Sequence, residues 1–344
     1  MAEIKLNNQR IIGNTQTPYF IAEVNSSHNG NIEVAKEMCL KAKEAGCDCV
    51  KFQSWSPESL YSKSYYDKNP IAKRIVQKFS IKPDDLREIS DYCQSIGIDF
   101  SSTPYSEEEV DFLVDQCNVP FIKIASMEIN NYDFLRYIAN KKIPMILSTG
   151  MAEKQEVEKA VKVIEETGNN QLIILHCISI YPAPPETINL KNISWLKDEF
   201  KQYPIGFSDH TLGFEVACGA IALGATVIEK HFTLDKSKMG MDNNMAIEPS
   251  EMKALTSACK NVFVALGSPE RIVLDIEYKQ RENMRRSVVA AKDLKKGSVI
   301  SRKDLVLKRP GTGITADKIE EIIGCKLNQD VLGDTLILED YIEK

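Results

Sequence analysis

The chain has 344 residues, 43% of them hydrophobic, and a formal net charge of −6. That length suits one large domain and a small one, the apolar fraction is that of a globular protein, and the acidic balance excludes the basic footprint of a nucleic-acid-binding protein. No apolar run approaches the roughly 20 residues of a membrane span, so no membrane partner is expected. The first ten residues, MAEIKLNNQR, are polar and contain no apolar segment of signal type. The nine cysteines are odd in number and scattered, as expected of reduced thiols packed as small hydrophobes in the cytoplasm.

From residue 19 onward short apolar runs alternate with helical patterns. Tyr19–Val24, Cys49–Gln53, Asp99–Pro104, Phe121–Ser126, Met145–Gly150, Leu172–Cys177, Ile205–His210 and Val227–Leu234 read as strands. Helical spacing marks Ile32–Gly46, Pro83–Gly97, Ser106–Asn118, Tyr132–Lys142, Lys154–Gly168, Asn189–Gln202, Phe214–Gly224 and Pro249–Gly267. Ser106 opens S-x-x-E, a capping box with acidic residues in the first turn. Eight strands alternating with eight helices predict a (β/α)8 TIM barrel over residues 1–267. A doubly wound open sheet is the competitor, weakened by the absence of a G-x-G-x-x-G turn after the first strand.

Two segments depart from the repeat. Ser54–Ile81 is too long for a βα loop and rich in Ser, Tyr and Lys, a composition expected of a lid or a disordered loop. Residues 268–286 are highly charged and read as a linker or an extra helix. Beyond them, Ser287–Ala291, Ser298–Ser301 and Asp304–Lys308 are strand-like runs broken by turn residues. They predict a small, mostly-β second domain at 287–344.

A barrel places its site at the C-terminal ends of the strands. Those ends carry Glu23, Asn25, Ser27 and His28; Lys51 and Gln53; Ser101, Ser102 and Thr103; Lys123, Ser126 and Glu128; Ser148 and Thr149; His176, Ser179 and Tyr181; Ser208, Asp209 and His210; and Glu229, Lys230 and His231. A barrel filled only for packing would hold Val, Ile and Leu, because buried polar groups cost free energy unless paired. Two lysines and several serines at one rim suit a phosphate and a carboxylate. Each lysine alone is equally well explained by an ion pair with Glu23 or Glu128, and each serine by a turn or cap. His210 and His231 end adjacent strands, about 5 Å apart in a parallel sheet, so the two imidazoles could share one metal ion. Lys123 on a barrel strand also admits a Schiff-base aldolase, and a non-catalytic sugar-binding protein stays open.

The ordered motifs I-A-E-V-N-S-S-H-N-G (21–30), V-K-F-Q (50–53), S-T-P (102–104), K-I-A-S (123–126), L-S-T-G-M (147–151), Y-P-A-P (181–184), G-F-S-D-H-T (206–211) and E-K-H-F-T-L-D (229–235) resemble the sialic acid synthase family, whose members also include legionaminate and pseudaminate synthases. R-R-S (285–287) and K-R-P-G-T-G (308–313) resemble its C-terminal antifreeze-like (SAF) domain. The resemblance implies a condensation of phosphoenolpyruvate with an N-acetylmannosamine-type sugar, giving a nine-carbon 2-keto sugar acid and phosphate. It implies a divalent metal, manganese or magnesium, on His210 and His231. Lys51, Lys123, Ser126, Ser148, Ser179 and Ser208 would meet phosphoenolpyruvate. Glu23 and Asp242 would face the sugar or the reacting water, and Gln53 and Tyr181 the sugar. Arg309 would reach the sugar's N-acyl group from the other subunit of a domain-swapped homodimer. Ser27, Ser179 and the loop Gly240–Asn244 depart from the neuraminate pattern, which leaves the acceptor sugar open.

Overall fold

The structure is a computed structural model that describes residues 2–238 and 240–343. The chain divides into two compact units, residues 1–267 and 268–344. In the first, a short hairpin of β1 (Glu3–Lys5) and β2 (Ile11–Gly13) precedes eight parallel strands: β3 (Tyr19–Glu23), β4 (Cys49–Gln53), β5 (Asp99–Thr103), β6 (Ile122–Ile124), β7 (Met145–Ser148), β8 (Leu172–Cys177), β9 (Ile205–Asp209) and β10 (Val227–His231). Their order, β5-β4-β3-β10-β9-β8-β7-β6, joins the first strand to the last. The remaining seam lies between β5 and β6, where Ser101 Oγ donates to the Phe121 carbonyl at 2.9 Å. The eight strands therefore form a nearly closed TIM-like barrel.

Strand parity builds the barrel in layers. Tyr19, Ile21, Cys49, Phe121, Ile146, Ile173, Leu175 and Val227 form one buried cluster with Ile4, Leu6 and Ile12 of the N-terminal hairpin, which fills the lower barrel. The alternate residues, such as Phe20, Ala22, Val50, Phe52, Phe207 and Ile228, belong to the larger core shared with the helices. Toward the C-terminal end the inward set continues as Glu23, Lys51, Thr103, Lys123, Ser148, Cys177, Ser208 and Glu229, all buried. The same alternation that packs the floor thus delivers polar groups to the top.

The helices follow their sequence signals. In α1 (Ile32–Glu44) the Asn31 side chain accepts from Glu33 N and Val34 N, and Ala35, Met38, Cys39 and Ala42 are buried, the spacing of one helical face. The segment 54–81 is not a disordered loop: it folds as α2 (Pro57–Leu60), α3 (Lys63–Lys68) and α4 (Pro70–Phe79). Ser56 and Ser62 cap the first two, and prolines open α2 and α4. Trp55, Tyr66, Val76 and Phe79 give these short helices a core of their own. Then come α5 (Pro83–Ile96), α6 (Glu107–Asp111), α7 (Tyr132–Asn140), α8 (Lys154–Glu166), α9 (Pro185–Ile188), α10 (Lys191–Glu199), α11 (Glu215–Ala222) and α12 (Pro249–Leu266). Helix α6 is capped by Ser106 and loosens into a π-turn over Phe112–Gln116.

The second unit begins with α13 (Asp275–Met284), so the charged stretch 268–286, expected to be a linker or an extra helix, holds that helix. Strands β11 (Ser287–Ala290) and β12 (Leu305–Lys308) pair antiparallel, as do β13 (Lys326–Leu327) and β14 (Ile342–Glu343). Helix α14 (Ile319–Ile322) packs into a core with Val288, Ala290, Ile300, Leu305, Leu327 and Ile337. Ser298–Ser301 is not a strand. It makes a single bridge, Val299 to Lys326, before a 3-10 turn at Arg302–Asp304.

Candidate active site

A cavity at the C-terminal end of the barrel is lined by Glu23, Lys51, Gln53, Lys123, Ser126, Ser148, Ser179, Tyr181, Ser208, His210, His231 and Asp242. The barrel residues that the resemblance assigns to phosphoenolpyruvate, sugar or metal therefore line one cavity. The sheet explains why: register sets Glu23 beside Lys51 and His231, and Glu229 beside Ser208, which in turn faces Cys177.

The charges inside pair with one another. Lys51 forms an ion pair with Glu23 and donates to Thr103 Oγ1 at 3.1 Å. Lys123 Nζ donates to Ser148 Oγ at 2.7 Å and to the Ile124 carbonyl at 3.1 Å. Glu229 lies between the lysines, its carboxylate oxygens 3.7 Å from each Nζ, and accepts from Ser208 Oγ at 2.9 Å. Burial would push the Glu229 carboxyl up, but Lys123, Lys51 and Ser208 together hold it below its usual range. Burial pulls the Lys51 ammonium down to about 7, against the pull of Glu229 and with the help of Lys123. Glu229 was visible as a strand-end carboxylate but was not assigned to the site; the partner expected for the lysines besides Glu23 was Glu128.

Gly150 is a second residue the sequence reading passed over. A Cβ there would stand 2.3 Å from Ser179 Oγ, 2.7 Å from Ser126 Oγ and 3.2 Å from Cys177 Sγ. Its N–H donates to Ser126 Oγ at 3.0 Å. The missing side chain leaves a small cradle rimmed by two hydroxyls, a thiol and the backbone.

The two imidazoles face each other across the mouth, ring centroids 5.2 Å apart. His210 Nδ1 donates to the Ile178 carbonyl at 2.7 Å, which leaves Nε2 as the nitrogen that can take a ligand once deprotonated; burial lowers the pKa of the ring, but Cys177 and the Ile178 carbonyl outweigh it and raise it. Burial drives His231 well below the usual imidazole range, and the positive charge of His210 and the lysines adds to this, so the ring stays neutral. Tyr181 packs on both rings, 4.3 Å from His210 and 6.2 Å from His231. Asp242 Oδ2 lies 3.7 Å from His231 Nδ1 and is hydrogen-bonded by Asn25; burial raises its carboxyl. Asn25 Oδ1 is buried without a partner among the described residues. No group of three or more His, Cys, Asp or Glu among the described residues is arranged to hold a metal.

Several strand-end residues point elsewhere. His28 is buried, its pKa lowered to about 4 by that burial, and its Nδ1 accepts from Gly30 N at 3.0 Å. His176 is engaged with the Ile188 carbonyl at 2.7 Å. Lys230 and Asp209 pair at 2.8 Å on the outward parity of β10 and β9, and Lys230 also donates to the Thr211 carbonyl at 2.5 Å. Arg309 belongs to the second unit, where it is exposed. The loop that carries it is tied to α13 by Gly311 N, which donates to the Glu282 carbonyl at 2.7 Å.

Residues 38–271 match the NeuB family and residues 285–343 the SAF domain. The chain is 40% identical to the N,N'-diacetyllegionaminic acid synthase of Legionella pneumophila, over 98% of both chains. It is 33% identical to the N-acetylneuraminate-9-phosphate synthase of Drosophila melanogaster, over 94% of this chain and 95% of that one. Among solved structures, the N-acetylneuraminic acid synthetase of Leptospira borgpetersenii superposes with a TM-score of 0.74 at 30% identity, covering 81% of this chain and 94% of its own. The chain is a member of the NeuB family, an enzyme of the sialic acid synthase type whose barrel is followed by a SAF domain.

Proposed function

We propose that this enzyme condenses phosphoenolpyruvate with an N-acyl aminohexose in its open aldehyde form, giving a nine-carbon 2-keto sugar acid and phosphate. The observation that carries the reading is the convergence of Lys51 and Lys123 on one buried spot beside two neutral-capable imidazoles. Two ammonium groups and the Gly150 cradle suit the phosphate and carboxylate of phosphoenolpyruvate, with Ser126, Ser148 and Ser179 as hydroxyl partners. Ser208 acts one step back, because its proton is given to Glu229. Glu229 keeps the lysines compensated while no anion is bound, and the bound anion takes over part of that role.

In the reaction, C3 of phosphoenolpyruvate bonds to the aldehyde carbon, water adds at C2, and the C2–O bond to phosphate breaks. Asp242 and Glu23 are placed to handle the water and its proton; burial brings Asp242 nearer to the range of a working base. Gln53 and Tyr181 stand on the acceptor side of the cavity. His210 and His231 fit a divalent cation, manganese or magnesium, as two imidazole donors that line one cavity with ring centroids 5.2 Å apart, and the substrate or water would complete the ligand set. Such an ion would polarise the acceptor's aldehyde oxygen as a Lewis acid.

The similarity to the Legionella enzyme supports a 2,4-diacetamido-2,4,6-trideoxyhexose as an acceptor to test beside N-acetylmannosamine. We also propose a domain-swapped homodimer in which Arg309 of one subunit completes the sugar site of the other; its exposed guanidinium can offer directed donors to an acyl carbonyl. The experiment is phosphate release from phosphoenolpyruvate with a panel of aldehyde sugars, with and without chelator. Release that requires an N-acyl aminohexose supports the reading; release with none of the sugars overturns it. Borohydride trapping with pyruvate is the control for a Schiff-base aldolase.

A further inference from the structure

The helical insertion after β4 and the mouth of the cavity meet at one side chain, Gln53. Its Oε1 accepts from Trp55 Nε1 at 3.0 Å and from the Tyr105 hydroxyl at 3.1 Å. Its Nε2 lies 3.4 Å from Glu23 Oε1. An indole N–H is a donor and nothing else, so the amide atom that faces Trp55 has to be the oxygen. The opposite orientation would set N–H against N–H inside the protein and leave donors unsatisfied. Tyr105 supplies a second donor to that oxygen. Burial, with the nearby Glu128 and Glu109 carboxylates, raises its phenol well above the ordinary range and keeps the proton on it.

With the oxygen held twice, the amide can turn only its NH2 toward the cavity. One N–H is directed at the Glu23 carboxylate and the other is left for a ligand. The two residues that impose this are anchored outside the barrel. Trp55 is 3% exposed and packs with Tyr66, Val76 and Phe79 in the small core of α2–α4, against which Tyr105 and Leu60 also lie. Tyr105 N donates to Glu109 Oε2 at 2.6 Å, and Glu109 Oε1 accepts from Ser59 Oγ of α2 at 2.6 Å. The insertion thus holds both donors of the pair.

We propose that Trp55 and Tyr105 are positioning residues that lock Gln53 as a hydrogen-bond donor toward the acceptor sugar, and that the helical insertion thereby selects a sugar carrying an accepting oxygen, hydroxyl or acyl carbonyl, at that point. The proposal rests on the condensation reading above. Its consequence is a division of labour: loss of the lock weakens acceptor use and leaves phosphoenolpyruvate use alone, because the lysines and the Gly150 cradle are untouched.

The chain has two tryptophans, so 15N-tryptophan labelling gives two indole resonances, assigned with Trp195→Phe. Gln53→Met, which removes the accepting oxygen, is expected to shift the Trp55 indole resonance upfield and speed its solvent exchange. In steady-state kinetics, Trp55→Phe is expected to raise the acceptor KM about tenfold, the scale of one lost hydrogen bond, with the phosphoenolpyruvate KM and the thermal midpoint close to the parent's. Tyr105→Phe changes one atom and keeps the packing; it is expected to shift the acceptor KM in the same direction, and it serves if Trp55→Phe does not fold. An unmoved Trp55 resonance in Gln53→Met, or an acceptor KM within twofold of the parent in the folded variants, overturns the proposal. If the parent enzyme releases no phosphate with any sugar, the condensation reading fails, and the indole resonance still decides whether the lock exists.

Discussion

Lys51 Nζ stands 3.7 Å from Glu229 Oε2, with both side chains buried and the whole of β3 between the strands that carry them. The contact crosses the barrel interior, and it ties the charge state of the anion site to a carboxylate far away in the chain. Because burial pulls Lys51 down to about 7, the free enzyme loses that proton as pH rises through neutrality. Phosphoenolpyruvate favours the ammonium. Its affinity is therefore expected to fall as pH rises above about 7, and binding at pH 8 should take up a proton. Calorimetry in two buffers of different ionisation enthalpy measures the uptake. Lys51→Met should weaken binding by roughly 1.5–3 kcal/mol, the worth of a charge-assisted contact, and abolish the uptake. Affinity independent of pH between 6 and 8.5 would contradict this.

Gly150→Ala tests the cradle. The backbone there is not in the left-handed region, so only space opposes the methyl group, which would meet Ser179 and Ser126 hydroxyls inside 3 Å. Overpacking of this kind costs about 1–3 kcal/mol, and the hydroxyls can relieve it by swinging into the cavity. The expected result is a folded protein with markedly weakened phosphoenolpyruvate binding by calorimetry. Unchanged affinity would place the anion elsewhere.

Metal dependence is expected from the two facing imidazoles. Chelation should abolish turnover. His231→Ala should do the same while circular dichroism and the thermal midpoint remain near those of the parent. Manganese binding followed directly by electron paramagnetic resonance separates loss of the ion from loss of catalysis. Full activity in excess chelator would remove the metal from the mechanism.

The Lys230–Asp209 pair lies outside the cavity, with side chains 1% and 0% exposed. Lys230→Met leaves Asp209 buried without its counter-charge, which costs about 3–5 kcal/mol. Chemical denaturation should show a loss of that size. Lys295→Ala, from the exposed Lys295–Asp330 pair, should be hard to resolve in the same assay. A small effect for Lys230→Met would mean that water reaches the pair.

The swapped dimer is tested by complementation. Arg309→Ala and His231→Ala proteins, each expected to be inactive alone, are mixed under subunit exchange. A mixed dimer joins one barrel with an intact His231 to an intact Arg309. Recovered activity supports the arrangement, and a fully active monomer in solution refutes it.

The sequence by itself determined the barrel and the floor plan of its site. Eight short apolar runs that end in polar residues mark the strand ends, so Glu23, Lys51, Lys123, Ser208 and His231 could be named before any strand was paired. Caps and helix stops placed most helices for the same reason: they are local chemistry. Tertiary structure alone decided the partners. Which carboxylate meets which lysine depends on strand order and register, and these set Glu229 between Lys51 and Lys123, while Glu128 accepts from Asn131 Nδ2 at 2.8 Å. Lys230 looked like a rim residue, but its parity sends it outward to Asp209. The insertion at 54–81 reads as a loop from its length and its Ser, Tyr and Lys content; its apolar residues show themselves as a core only when Trp55, Tyr66, Val76 and Phe79 meet in space. The Gly150 cradle was equally hidden, since an empty position acquires meaning only from Ser126, Cys177 and Ser179 closing around it.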